Sequence, residues 1–302
     1  MKNYSKGKIN WRFYIIAYLD VMGQKEAFKN IASVPKTKKQ EKQLIQALKK
    51  TYTFIGHFRN GFQKYFEQSK KSTGIERNVP KNMRHLYKQM MKNDIHFSHF
   101  SDFVIPWTPL ETKSHSCVQL NSILGIMSAC ASMVLLSLYS QHAIRGGIEV
   151  EAGLELDSGE PYGPVLNKAY TLESKVADYP RIIIGNGLIN YLQVHKNLPG
   201  QDVFSKYTRE LSKKCLNLIK RDLDGFYFLD WLSEDIEQHF NDVQERQQKE
   251  SIGQILKGAA RFISIERERF ISIQDTKLVG RYTKLGNYFH SRVKNWKAWI
   301  NK

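Results

Sequence analysis

Apolar residues run unbroken from Phe13 to Leu19, and the run closes on Asp20. A short apolar run ended by a turn residue predicts a buried β-strand over Arg12–Leu19. From 36 to 71 the pattern changes. Leu44, Leu48, Tyr52, Ile55, Phe62 and Tyr65 recur at helical spacing, with Lys and Gln on the other face. Residues 72–94 are basic and hold Gly74 and Pro80, which predicts a loop or short helices. Ile95–His99 and Phe103–Trp107 are expected as two strands, with Ser101–Asp102 at the turn and Pro106 and Pro109 closing the segment.

A long helix is expected over 111–142. Residues 114–144 carry no formally charged side chain, and Ile123–Tyr139 is apolar enough to suggest a membrane span. Its Ser, Asn, Cys and Gly content and its place between strands favour a buried helix. A strand over Ala143–Val150, a turn at Gly159–Gly163, a helix over Pro164–Ala177 and a strand over Arg181–Ile184 follow. By period two, Glu149 and Glu151 share a face of their strand, expected to be exposed. Beyond Pro199–Gly200 the chain is expected to be largely helical, with a turn at Asp224–Gly225 before the aromatic run Phe226–Trp231. Ile252, Leu256, Ala259, Ile263 and Phe270 mark one helix, and 277–300 another. The order predicts an α+β fold: a ferredoxin-like core with a central, mostly antiparallel sheet and helices, plus a helical C-terminal extension. The core is assigned to 1–200, with a helical insertion around 36–94, and the elaboration to 201–302.

Composition narrows this picture. The 302 residues are 41% hydrophobic and 12% aromatic, enough for a substantial core. The net charge of +17 comes from scattered basic residues, which point to a lysine-rich solvated surface and away from a nucleic-acid groove. Cys117, Cys130 and Cys215 are odd in number and lack Cys–x–x–Cys spacing, which fits a reducing, cytoplasmic setting and argues against zinc. No secretory signal peptide is visible.

The candidate chemistry lies in four fragments: Tyr18–Leu19–Asp20–Val21–Met22–Gly23, Phe100–Ser101–Asp102–Phe103, Arg145–Gly146–Gly147–Ile148, and Tyr162–Gly163 through Leu172–Glu173, with Pro180–Arg181–Ile182 after them. Carboxylates on two rigid strand ends can hold hard divalent cations for phosphoryl transfer. Taken singly, Asp20 could be a helix N-cap and Asp102 a turn residue. Gly23 permits a tight turn into a helix start that can point amides at an anion.

In this order and spacing, over roughly 11–187, the fragments resemble a class III nucleotidyl cyclase catalytic domain, and look most like the pyrimidine cyclases of bacterial antiphage (Pycsar) systems. The resemblance implies two Mg²⁺ or Mn²⁺ ions at Asp20, Val21 and Asp102, phosphate contact by Arg145, and ribose orientation by Asn167. It implies a nucleoside triphosphate substrate, a homodimer with sites between subunits, and an effector that responds to the cyclic product. Two departures matter. Thr171 stands where purine cyclases carry a transition-state arginine, which leaves Arg181 as the motif's candidate catalytic cation. Ser98 and Glu160 replace the adenine-reading lysine and aspartate, which favours UTP or CTP over ATP. Two alternatives stay open. The chain could be an inactive cyclase-fold protein that binds a nucleotide or a partner, and Arg181 could simply pair with an acid beside the sheet.

Overall fold

A computed structural model describes residues 11–22, 31, 34–71, 79–92, 94–100, 103–111, 118–156, 159–247 and 251–297. Strand β1 (Arg12–Val21) lies at the centre of the sheet. Tyr14 to Ala17 are wholly buried, which is why the strand is apolar without alternation. Helix α1 (Lys38–Lys71) follows, then α2 (Arg84–Met91). Strands β2 (His96–Phe100) and β3 (Phe103–Pro109) form a hairpin in which Phe100 faces Phe103. Helix α3 (Leu120–Tyr139) leads to β4 (Ile144–Glu155). Both β3 and β4 pair antiparallel with β1. The first four strands therefore stand in the order β2-β3-β1-β4, two split β-α-β units wound around β1.

After β4 come β5 (Pro161–Tyr162), α4 (Pro164–Thr171) and a wide π-type turn over Leu172–Val176. Strand β6 (Ile182–Ile184) pairs parallel to β4. Helices α5 (Asn186–Lys196) and α6 (Val203–Asn217) precede β7 (Ile219–Arg221) and β8 (Tyr227–Leu229). The last two strands extend the same sheet, giving the order β2-β3-β1-β4-β6-β8-β7. Helices α7 (Glu234–Gln247), α8 (Ile252–Ser272) and α9 (Thr276–Val293) end the described chain.

One face of the sheet carries the main core. There Ile15, Ala17, Leu19, Ile148 and Val150 meet Phe58, Phe62 and Phe66 of α1 and the buried side chains of α3. Helix α3 is long and apolar enough to cross a membrane, and most of it is buried within the protein. On the other face Tyr14, Ile16, Ile105 and Trp107 receive Val165 and Ala169 of α4.

Three expectations need correction. The helix expected over 111–142 spans only Leu120–Tyr139. Glu111 bridges to Val118 before it, and Gln141 takes a left-handed φ of 64° just after it. The largely helical region after 200 also contributes strands not expected from the sequence, because β7 and β8 join the sheet around the turn at Gly225, whose φ is +88°. Glu149 is buried, not on an exposed face.

Gly147 sets how closely the π turn approaches the sheet. A Cβ there would lie 2.5 Å from Leu172 Cβ and 2.6 Å from the Ala169 carbonyl oxygen. Gly147→Ala is therefore expected to cost about 1–3 kcal/mol of stability through overpacking. Gly56, within α1, has nothing within 4 Å of such a Cβ. Gly56→Ala is expected to be neutral or to stabilise by up to about 1 kcal/mol. Urea unfolding midpoints of the two variants check both statements.

Candidate functional site

Asp20 stands near the end of β1, opposite Arg145 on β4 and Phe103 on β3. Directly paired residues project from the same face, so Asp20 and Arg145 share the α4 side of the sheet. Arg145 Nη2 donates to Asp20 Oδ2 at 3.1 Å and lies 2.6 Å from Glu173 Oε1. Glu173 comes from the π turn that Gly147 admits. Its side chain is 2% exposed, against 19% for Arg145 and 14% for Asp20. Two carboxylates thus flank one guanidinium, and Arg145 and Asp20 are partly exposed while Glu173 is buried. Tyr18 lies two residues before Asp20 on the same face, with its ring 5.0 Å from Phe103 and 5.4 Å from Tyr170 of α4.

The remaining expected residues are distributed unevenly. Ser98 pairs with Ile105, so it lies on the same face two strands from Asp20. Val21 is buried on the opposite face, so only its main chain is available near Asp20. Asn167 is exposed on α4, and its carbonyl accepts a 2.8 Å bond from Thr171 Oγ1. Glu160 is exposed in the turn beside Pro161, which pairs with Glu155 at the far end of β4. Ten residues of strand separate Glu155 from Arg145, on the order of 30 Å at the usual rise, so one chain does not bring Glu160 to Asp20. Gly23 and Asp102 lie outside the described residues. Phe103, next to Asp102 in sequence, is in register with Asp20.

Arg181 has the surroundings of the ion-pair alternative. Its side chain is 1% exposed. One guanidinium nitrogen donates to Asp222, and another to Asp224 and to the Val176 carbonyl at 3.2 Å. The cation lies 4.6 Å from the centre of the Tyr179 ring, and Tyr179 Oη donates to Asp222 at 2.6 Å. Burial and then the Asp222 carboxylate push the Tyr179 hydroxyl well above its ordinary pKa. At Asp224 burial acts upward, but hydrogen bonding and attraction from Arg181 outweigh it and leave the carboxyl below its usual value. Arg181 fastens the β7–β8 turn to the end of the π turn. These contacts are the ones the ion-pair alternative expects.

Two acids had no role assigned from sequence. Glu173 closes the ion-pair line. Its one local signal is a carboxylate directly after the helix that follows the Arg–Gly–Gly–Ile strand. Glu149 is buried where Gly185 and Gly187 leave no room for a side chain beside its carboxyl. Its Oε1 accepts from the Val150 and Leu188 amides, both at 2.9 Å. Burial raises its pKa, and the two amides only partly oppose the shift.

Asp20 offers hard carboxylate oxygens, and Mg²⁺ sites of the phosphoryl-transfer kind use one or two carboxylates together with substrate phosphates. The donor chemistry of Asp20 fits such an ion. Among the described residues no group of three or more His, Cys, Asp or Glu gathers as a metal site.

No protein-family model matches the chain, and no curated protein matches it. Among solved structures it is similar to a class III adenylyl cyclase-like ATP-binding protein from Pseudomonas aeruginosa. The two are 12% identical, with a TM-score of 0.35 over 81% of this chain and 46% of the other, so this chain spans less than half of that structure's length.

Two variants test these assignments. Arg181→Ala is expected to lower stability by roughly 2–3 kcal/mol, less than a fully buried pair because Asp224 is 43% exposed. Chemical denaturation reads this directly. For Glu149 the folded carboxyl binds its proton more tightly than the unfolded one. Its contribution to stability is therefore full below the ordinary value of 4.5 and is lost as pH rises through the raised folded value. Glu149→Gln keeps an acceptor oxygen and removes the titration. Its stability relative to wild type should climb with pH above 4.5 and then level off, as a series of urea midpoints would show.

Proposed function

We propose that this chain is a nucleotidyl cyclase that converts a pyrimidine nucleoside triphosphate, UTP or CTP, into its 3′,5′-cyclic monophosphate. The observation that carries the reading is the pair Asp20–Arg145, a carboxylate and a guanidinium side by side near one strand end, both partly exposed to solvent. The split β-α-β order around β1, which corresponds to a ferredoxin-like core with that pair near a strand end, supports the reading.

In this reading Asp20, the Val21 main chain and Asp102 hold two Mg²⁺ or Mn²⁺ ions. When bound, such ions lower the pKa of an attacking hydroxyl and neutralise the triphosphate. Arg145 binds phosphate oxygens. The ribose 3′-oxygen bonds to the α-phosphorus, the bond to pyrophosphate breaks, and the hydroxyl proton passes to solvent. Asn167 orients the ribose, and Ser98 and Glu160 read the base. With Glu160 at the far end of β4, a second copy would have to supply it, which supports a homodimer as the active form. The product serves in the cytoplasm as an antiphage second messenger for a cyclic-nucleotide-responsive effector.

A second reading has its own observation. Thr171 donates its hydroxyl to its own helix, and Arg181 is committed to Asp222 and Asp224. With both side chains engaged in these bonds, an inactive cyclase-fold protein that binds a nucleotide is supported.

Incubation with Mn²⁺ and each of the four NTPs, followed by mass spectrometry, separates the readings. Cyclic CMP or cyclic UMP is expected, with none from Asp20→Ala and a rate about 10²–10³ lower from Arg145→Ala. Nucleotide binding without any cyclic product would establish the inactive binder. Absence of both would end the nucleotide reading.

A further inference from the structure

We infer that Glu173 is a positioning residue for Arg145: it keeps the guanidinium at the strand end when Asp20 turns to a cation, so that Arg145 can meet the triphosphate. The inference rests on the reading of Asp20 and Arg145 as a triphosphate site and assigns a role to a residue outside that reading.

The geometry separates the two carboxylates. Both approach the same nitrogen, Nη2 of Arg145, with Asp20 at 3.1 Å and Glu173 at 2.6 Å. Glu173 is the nearer and the more deeply buried, 2% exposed against 14%. A buried carboxylate has no solvent to turn to, so it gives up a close cation less readily than a partly exposed one. Asp20 can exchange one positive partner for another at the surface. The backbone of Glu173 is also held from both sides. Gly147 lets the π turn rest on β4, and Arg181 binds the Val176 carbonyl at the turn's end. The anchor is therefore fixed before any ligand arrives, and the guanidinium is held in place rather than searching for its position. Arginine suits this role because its planar fork has donors for an anchor and for a phosphate at once.

Glu173→Gln separates positioning from plain electrostatics, because the two predict opposite signs. Removing a negative charge near a polyanion should tighten binding if charge alone matters. Loss of the anchor should weaken it, by about tenfold, as for one lost close and largely buried ion pair. The probe is 2′,3′-dideoxycytidine triphosphate, with the uridine analogue beside it, in Mn²⁺. These analogues lack the attacking hydroxyl, so calorimetry reads binding without turnover. Glu173→Gln is expected to bind nearly as weakly as the double variant Arg145→Met/Glu173→Gln, because the unanchored guanidinium contributes little. Glu173→Asp, which keeps the charge but shortens the arm, is expected to weaken binding as well. Binding by Glu173→Gln or Glu173→Asp as tight as wild type, or tighter, overturns the inference. Thermal melts confirm that each variant is folded at the assay temperature. Wild-type protein that binds neither analogue, or binds them equally well as Asp20→Asn, overturns the triphosphate reading itself. Asp20-dependent binding indifferent to Glu173 overturns only the positioning role.

Discussion

The guanidinium of Arg145, held between Asp20 and Glu173, is the constraint to which the surrounding structure answers. Three mostly buried charges at the edge of a core are costly unless each finds its partner in place. The partners come from three separate pieces of chain: β1, β4 and the turn after α4. Gly146 and Gly147 follow Arg145 because larger residues would meet the Tyr18 carbonyl on one side and the π turn on the other. The turn is wide where an ordinary helix would have continued, and Glu173 lies within it.

The same line of contacts ties the C-terminal part of the chain to the site. Arg181 joins Val176 at the end of the turn to Asp222 and Asp224 in the β7–β8 connection. Lys284 of α9 reaches Asp178 just beyond the turn at 3.0 Å. A disturbance in the hairpin or in α9 therefore has a physical route to Glu173 through a few hydrogen bonds, with no contact to a ligand required.

Much of this was legible in the sequence where local pattern determines structure. The apolar run of β1, the charge-free α3, the hairpin around 101–102 and the strand after Arg145 all follow from periodicity and turn residues. What stayed hidden depends on partners distant in sequence. Strands β7 and β8 have three residues each, too few for a period, and they exist because β6 offers an edge. The acid partners of Arg181 stayed hidden because they stand 41 and 43 positions later. Glu149 looked exposed because nothing local announces that Gly185 and Gly187 fold over it. Of the site, Asp20 and Arg145 come together as β-pairing requires, Ser98 shares their face, Asn167 is exposed on α4, and Glu160 stands apart on the same chain. Gly23 and Asp102 lie outside the described residues.

Whether the open side of Asp20 is a cation site is the question on which the account turns. A crystal structure of the protein with Mn²⁺ and a non-cyclising pyrimidine triphosphate, with manganese located by anomalous scattering, answers it most directly. The account predicts a manganese peak at about 2.1–2.2 Å from an Asp20 carboxylate oxygen, with Arg145 turned from Asp20 to a phosphate oxygen and still paired to Glu173. Arg145 still bridging Asp20 and Glu173, with nucleotide and manganese bound elsewhere or not at all, would contradict it.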